Sequence, residues 1–385
     1  MTNDAFGNTD IKVPFFSPYI DELDKKAVIT ALRSTLLTDG PKLREFESKF
    51  AKFTGAKYAV GVSNATAALH VSLRALGIGK GDEVIVPDMT FVATANAVLL
   101  TGATPVIVDV DKSDMNMSVT SLKKSITSKT KAILPVHFAG KACQINQMQK
   151  IVKSNDLFLI EDCAHAIGTK LHGKHVGTFG DAGCFSFYPT KNITTLEGGM
   201  IITNRKKIAD FARAARNHGI TKSLSQRYTS KTPWNYDIIE PGYNYRLDEI
   251  RSSLGLSQLK KLTYLNQLRK KAFDYYNEKL SGRNGIEVPL EGMPGEHSFH
   301  LYIIKVKKEF HISRDDLYMK FLKAGIRTTV HYKPLHMFSI IKKKAKIYDK
   351  LLNSKQIFQQ ALSLPLYPQI SKKQQDSVID VLLSN

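Results

Sequence analysis

Four short stretches of this chain carry residue types whose spacing could do chemistry, and Lys191 stands in one of them, Ser186-Phe187-Tyr188-Pro189-Thr190-Lys191-Asn192. A lysine behind a proline-marked turn is ordinarily a solvated ammonium. Directly after an apolar run, burial and neighbouring charge can instead depress its pKa and free the amine to form a Schiff base. The second stretch, Glu161-Asp162-Cys163-Ala164-His165, closes another apolar run. A carboxylate there needs a partner, because burying a lone charge is expensive. A salt bridge, a helix cap or a protonated pyridine nitrogen would each serve. Third, Ser63-Asn64-Ala65-Thr66-Ala67-Ala68 opens a helix with small residues. Either Ser63 or Asn64 caps it, or its N–H groups and dipole receive a phosphate that the small side chains let close. In the fourth, Glu197-Gly198-Gly199, paired glycines allow backbone near a ligand.

The surrounding pattern shows what must hold these stretches. YAVGVS (58–63) reads as a buried strand, followed by helical spacing from Asn64 to Leu76 with Gly77 as the stop. EVIVP (83–87), TPVIVDV (104–110), KAILPVH (131–137) and LFLIED (157–162) read as further strands, with a helix around Phe91 to Leu100. Continuous rather than alternating apolar runs mark strands covered on both faces. This is the pattern of an α/β domain with a mostly parallel central sheet flanked by helices. Ligands collect in such sheets where strand ends meet helix starts. Past Gly199, MIITN reads as one more strand and Arg205 to Arg216 as a helix, while 218–240 has no period and reads as a long surface loop. A helix from about Leu247 to Gly282 crosses into a smaller α+β C-terminal domain that contains the strand-like FHLYIIKVK (299–307). The expected division is 1–250, a large domain with an N-terminal arm, and 251–385, the small domain.

Composition narrows the classes. With 385 residues, 43% hydrophobic and 23% charged, the chain has the make-up of a globular protein able to bury a large core. No apolar run approaches the ~20 residues of a membrane span, and the polar start MTNDAFGNTD is not a signal peptide. Cys143, Cys163 and Cys184 show no CxxC spacing and are odd in number, so free thiols in the cytoplasm are expected. A net charge of +20 suits an anionic substrate. The lysines are spread along the chain, and the densest run, Lys342 to Lys346, lies in no nucleic-acid motif. Neither nucleic acid nor membrane is an expected partner. The glycines from Gly77 to Gly81 lead from a helix into a strand, the wrong order for a dinucleotide loop. Zinc at Cys163, His165, His172 and His175 is disfavoured, since Cys163 and His165 have only one residue between them. No metal is expected.

Taken in order, VSNATAALH, GDEVIVPDMTFVATANAV, GATPVIVDVD, AILPVHFAG, LIEDCAHAIGT, GDAGCFSFYPTKNITTLEGGM and GYNYRLDEIRSSLGLSQLKKL resemble the DegT/DnrJ/StrS family of sugar aminotransferases, from about Phe15 to Tyr367. The resemblance implies a fold-type-I pyridoxal phosphate transferase. It implies that Lys191 carries pyridoxal 5′-phosphate as a Schiff base and shuttles a proton between substrate carbon and cofactor. Asp162 matches the carboxylate paired with the pyridine nitrogen, and His165 the residue near the phenolic oxygen. Phe91 matches an aromatic ring stacked on the cofactor, and Ala65, Thr66 and Ser186 match phosphate contacts. Asn244 or Arg246, in GYNYR, matches a residue that reaches the neighbouring subunit's site, which implies a homodimer with shared sites. Asn244 is then expected on the cofactor, and Arg246, His331 and Tyr332 on the substrate.

Leu196 stands where many relatives carry a smaller residue, a departure that leaves the reaction in place. Relatives with histidine for the lysine are dehydratases, so Lys191 favours transamination. The implied substrates are glutamate, returned as 2-oxoglutarate, and a nucleotide-diphosphate keto-sugar. Position 4 is preferred to position 3, because Val330-His331-Tyr332-Lys333-Pro334 and GYNYR resemble enzymes that make 4-amino sugars for surface glycans. The rival readings are a keto-sugar dehydratase and a non-catalytic binding protein on the same scaffold.

Overall fold

A computed structural model describes residues 11–222, 224–289 and 296–384. The apolar runs form one eight-stranded sheet. In spatial order its strands are Tyr58–Val62, Gly199–Thr203, Ala182–Ser186, Phe158–Asp162, Thr130–Ile133, Glu83–Pro87, Thr104–Val108 and Lys346–Ile347. Gly199–Thr203 runs against both of its neighbours, and every other adjacent pair is parallel. The connections explain this. Parallel strands of one sheet need a crossover, and the helices Ala65–Ala75, Ala93–Leu100, Val119–Lys124 and Ile145–Ser154 lie in such connections. Ala182–Ser186 and Gly199–Thr203 are joined by a loop without a helix, so the chain doubles straight back. Lys191 rides on that return loop, at the carboxyl end of Ala182–Ser186.

Both faces of the sheet are covered. Glu83–Pro87, Ala182–Ser186 and Gly199–Thr203 are buried at every position. Each fully buried Val, Ile or Leu contributes roughly 1.5–3 kcal/mol, which is why continuous apolar runs persist there. A second core gathers Phe273, Tyr276, Tyr302, Phe321, Leu362 and Val378 against the three-stranded antiparallel sheet Ile286–Glu287, Tyr302–Val306 and Ala361–Leu364. The helix Glu249–Leu280 spans both cores: Leu262 and Leu265 pack in the first, Phe273 and Tyr276 in the second. The chain also crosses between them at its ends. Val13 of the N-terminal arm is buried in the second core and bridges Ile326. Lys346–Ile347 adds to the edge of the main sheet beside Thr104–Val108.

Some elements differ from expectation. Phe91 precedes its helix, which starts at Ala93 after Val92 as N-cap. The stretch 218–240 contains the short helix Leu224–Tyr228, and its ends are tied by the bridge between Ile220 and Ile238. The strand expected from 299 begins at Tyr302, because Phe299 takes φ +51° and breaks the extended run. Among the described residues no helix is long and apolar enough to cross a membrane.

Candidate active site

The parallel strands all end on one edge, and the register places the four stretches there together. Gly199 lies opposite Val62 on one side and Ser186 on the other. The helix start after Val62 and the end of the Ala182–Ser186 strand therefore flank the same position. Asn64 is the N-cap of Ala65–Ala75 and accepts from the Ala67 N–H at 2.8 Å, so the capping reading holds for that residue. The N–H groups of Ala65 and Thr66 head the helix and take no part in this cap. Ser186 is buried, and its Oγ accepts weakly from the Tyr188 N–H at 3.4 Å.

Of the paired glycines, Gly199 meets the start of the neighbouring helix. A Cβ on Gly199 would sit 2.4 Å from the Asn64 carbonyl oxygen and 2.8 Å from the Ala65 nitrogen. Gly199 thus lets the helix start lie against the strand.

Asp162 ends its strand clamped on both sides. Its N–H donates to the Pro135 carbonyl at 2.9 Å, and its carbonyl accepts from the His137 N–H at 3.0 Å. The side chain is 5% exposed and accepts from the Ala164 N–H at 3.1 Å and the Thr94 hydroxyl at 2.9 Å. Among the described residues no cation forms a salt bridge with it. Burial raises its pKa, opposed by the Ala164 amide, the Thr94 hydroxyl and the charge of Lys191. Next to it, Glu161 is structural. Its carboxylate accepts from the N–H groups of Gly177, Phe179 and Gly180 at 2.7–2.8 Å and pairs with His137 at 2.9 Å.

Lys191 is half-buried, and its amine makes no hydrogen bond or salt bridge among the described residues. Burial pulls its pKa down to about 8; Asp162 opposes that shift and Arg269 adds to it. Arg269 is itself a buried cation, with Nη1 on the carbonyls of His300 and Leu366 at 3.3 and 2.8 Å. The pocket at Lys191 is lined by Phe15, Thr190, His300, His331, Tyr332 and Leu366.

Around the pocket the imidazoles are neutral. Burial, Lys191 and His331 hold His165 well below the usual histidine range, and burial with Lys191 takes His331 down to about 3. His165 Nε2 lies 3.1 Å from the Tyr332 hydroxyl, and its Nδ1 is buried without a partner. His331 Nδ1 is engaged by Ser363 Oγ at 2.8 Å. Phe91 is 57% exposed, with its ring 6.0 Å from that of Tyr332.

Lys191, Asp162, His165, Phe91, His331 and Tyr332 are thus brought into one neighbourhood. Asn244 and Arg246 stand apart. Arg246 donates to Asn217 Oδ1 at 2.8 Å, and Asn244 is exposed. The segment itself is anchored beside the helix start, where the Ser63 N–H donates to the Tyr245 carbonyl at 2.8 Å. Thr94, Asn192 and His300 were not anticipated as site residues. Each gains its place from a partner distant in the sequence, Thr94 from Asp162 and Asn192 and His300 from one another.

The sulfur and nitrogen ligands weighed for zinc are scattered. His172 is exposed in a turn, and His175 accepts from the Gly168 N–H and contacts the Val176 carbonyl. The compact grouping is instead His137, Glu161 and Cys163. There His137 Nδ1 accepts from the Cys143 N–H at 3.1 Å and Nε2 faces Glu161, so hydrogen bonds already occupy these atoms.

The donor set fits pyridoxal phosphate. A free amine, a buried carboxylate without a cation, an orphaned imidazole nitrogen and a helix N-terminus match its aldehyde, pyridine nitrogen, phenolic oxygen and phosphate. A lysine-bearing return loop on a mostly parallel sheet with that set defines a class, the fold-type-I pyridoxal phosphate enzymes. Within it the chain belongs to the DegT/DnrJ/EryC1/StrS aminotransferase family, whose model matches residues 18–383. It is a pyridoxal-phosphate-dependent sugar aminotransferase by family.

Similar proteins include an uncharacterised protein, MJ1066, of Methanocaldococcus jannaschii, 40% identical over 96% of each chain. The spore coat polysaccharide biosynthesis protein SpsC of Bacillus subtilis is 37% identical over 96% of each. Among solved structures, Spr1654 of Streptococcus pneumoniae, assigned as a sugar aminotransferase and seen in its PMP form, superposes with a TM-score of 0.90 at 32% identity, covering 96% of this chain and 98% of that one. Helicobacter pylori PseC, an aminotransferase of pseudaminic acid biosynthesis, gives 0.89 at 31% identity over 96% and 98%. A GDP-4-keto-6-deoxymannose-3-dehydratase, ColD, gives 0.89 at 29% identity over 96% and 100%, so the fold alone does not separate transfer from dehydration.

Proposed function

We propose that this chain transfers an amino group from glutamate to a nucleotide-diphosphate keto-sugar, at carbon 4 rather than carbon 3, as a cytoplasmic homodimer with shared sites. The observation that carries the chemistry is the unpartnered Lys191 amine, with its pKa near 8, in electrostatic reach of a buried carboxylate that has no cation of its own. Pyridoxal phosphate, when bound, supplies an electron sink for a proton transfer at the substrate carbon. Lys191 holds the cofactor and then moves that proton. Its depressed pKa keeps a useful fraction of free amine at neutral pH. Asp162 holds the ring nitrogen protonated, and His165 faces the phenolic oxygen. Ala65, Thr66 and Ser186 hold the phosphate, and Phe91 covers the ring. His331 and Tyr332, which line the pocket at Lys191, meet the substrate. Lys191 also favours transfer over dehydration.

The nucleotide-linked acceptor is supported by the net charge of +20 and by the sugar chemistry in the names of PseC and ColD. The preference for carbon 4 rests on the likeness of the 330–334 and GYNYR segments to 4-amino-sugar enzymes. Dimerisation is supported by apolar side chains left open in one chain, including Phe91, Leu196 and Trp234 at 57%, 59% and 76% exposed. The three buried free thiols suit a reducing compartment. The test is a panel of nucleotide 4-keto and 3-keto sugars, with the free sugars as controls and glutamate as donor. A nucleotide-linked 4-keto sugar should be preferred by orders of magnitude in kcat/KM. Equal amination of free sugars or simple keto acids would remove the nucleotide-sugar assignment while leaving the cofactor chemistry intact.

A further inference from the structure

Tyr332 and His165 meet from distant parts of the chain, phenol oxygen to Nε2 at 3.1 Å. Which of them donates decides what the other face of the imidazole can do. Burial raises the Tyr332 pKa, and burial with Lys191 and His331 lowers that of His165, so each side chain is neutral and carries one mobile proton. Among the described residues the Tyr332 hydroxyl makes no other hydrogen bond. Were Nε2–H the donor, the half-buried phenol proton would lack an acceptor among the described residues in addition to the unpartnered Nδ1, at a cost of up to about 1–3 kcal/mol. With Tyr332 donating, the phenol is satisfied and the imidazole proton must sit on Nδ1. That nitrogen is the one buried without a partner.

The surroundings keep this arrangement from inverting. The His165 ring lies between Phe138 and His300, with centroids at 5.9 and 4.4 Å, and its carbonyl is held by Ser298 Oγ at 2.9 Å. His300 makes no hydrogen bond to Tyr332 among the described residues. Asn192 Nδ2 donates to Asn266 and to the Ser298 carbonyl, which turns Asn192 Oδ1 toward His300 Nδ1 at 3.1 Å and makes that nitrogen the donor.

We infer that Tyr332 is a positioning residue: its hydroxyl fixes His165 in the Nδ1–H tautomer, so that this N–H is the donor to the cofactor's phenolic oxygen. The inference rests on the pyridoxal phosphate reading of the site and gives Tyr332 a role on the cofactor side, beyond lining the substrate pocket. A donor there stabilises the phenolate and lowers the proton affinity of the lysine–cofactor linkage. The other groups that bear on Lys191 are Asp162 from the sheet, Arg269 from the long helix, and the neutral His300 and His331.

The test begins with cofactor-free protein labelled with 15N-histidine, in which His165→Asn identifies the His165 signals. Wild type should show Nδ1 protonated and Nε2 bare, and Tyr332→Phe should shift His165 toward a mixture of tautomers. In the holoenzyme, the apparent pKa of the visible absorbance change should rise in Tyr332→Phe by roughly one unit, a tenfold change in proton affinity and the size of one hydrogen bond. A wild-type His165 protonated on Nε2 would overturn the inference, and so would an unchanged tautomer in a folded Tyr332→Phe. If that variant does not fold, the wild-type spectrum alone decides. Failure of the wild type to bind pyridoxal phosphate would overturn the reading of the site, a result separate from the tautomer measured without cofactor.

Discussion

The Thr94 hydroxyl donates to Asp162 at 2.9 Å, and the Thr90 hydroxyl lies 2.8 Å behind it, so two buried hydroxyls in series support one buried carboxylate. An ionised carboxylate only accepts, so the Thr94 proton points at Asp162 and the Thr90 proton at Thr94. Thr94→Val keeps the shape and removes the donor. The charged form of Asp162 should lose about 1.5–3 kcal/mol, the usual worth of a hydrogen bond to a charge. Pyridoxal phosphate affinity should then fall roughly 10- to 100-fold, with Thr94→Ser close to wild type. Equilibrium titration of the cofactor-free protein measures this. Binding by Thr94→Val within about twofold of wild type would make the hydroxyl a bystander.

Lys191 gives a pH signature. Its pKa of about 8, against an ordinary 10.5, predicts that capture of pyridoxal phosphate by the cofactor-free protein rises to a plateau with a midpoint near pH 8. Asp162 favours the ammonium, so Asp162→Asn should move the midpoint down. Arg269 disfavours it, so Arg269→Gln should move it up. Between about 8 and 10.5 the unfolded chain holds a proton that the native lysine has released, so this group's contribution to stability rises with pH over that window. Borohydride trapping followed by mass spectrometry at Lys191 reads the midpoint. Lys191→Ala should show no adduct and no turnover.

Lys191, Asp162 and the helix start at Ala65 are legible in the sequence because each marks a sharp change, an apolar run giving way to a few polar or small residues. The parallel strands are legible for the same reason. Thr94 and Asn192 are not. Thr94 gains its role from a carboxylate 68 residues away, and Asn192 from an imidazole 108 residues away; local composition carries neither pairing. Gly199 is a related case. Gly199 is needed for a close approach, but the approaching group is the Asn64 backbone, which only the sheet register brings alongside. Lys346–Ile347 is hidden because two exposed residues at the end of a lysine run have no strand pattern, and their partners Val106 and Ile107 lie far back in the chain.

Shared sites predict complementation between inactive chains. Lys191→Ala lacks the amine, and the Asn244→Ala, Arg246→Ala double variant lacks the two side chains proposed to reach across. Mixed under conditions that exchange subunits, they should form hybrid dimers with one complete site each. At equal concentrations, about a quarter of wild-type activity should return, since half the dimers are hybrids with half their sites intact. Activity measured after mixing, beside a sizing measurement, checks this. Full activity in a demonstrated monomer would exclude shared sites.

Gly199→Ala tests where the phosphate is held. The new Cβ would lie 2.4 Å from the Asn64 carbonyl oxygen and 2.8 Å from the Ala65 nitrogen. The strand that carries it cannot yield, because it is paired along its length with Tyr58–Val62 and Ala182–Ser186. The start of the helix Ala65–Ala75 must therefore move and lose its alignment on a bound anion. A helix N-terminus contributes up to ~2 kcal/mol to a partly buried charge. The preference of the cofactor-free protein for pyridoxal phosphate over pyridoxal should accordingly shrink by about tenfold, while pyridoxal itself binds nearly as before. Gly79→Ala is the control. It has a negative φ, and its nearest crowding atom is the Thr101 carbonyl oxygen at 3.7 Å. It should leave the preference unchanged. If Gly199→Ala keeps the wild-type preference in a folded protein, Ala65 and Thr66 do not hold the phosphate, and Ser186 with the return loop must carry it.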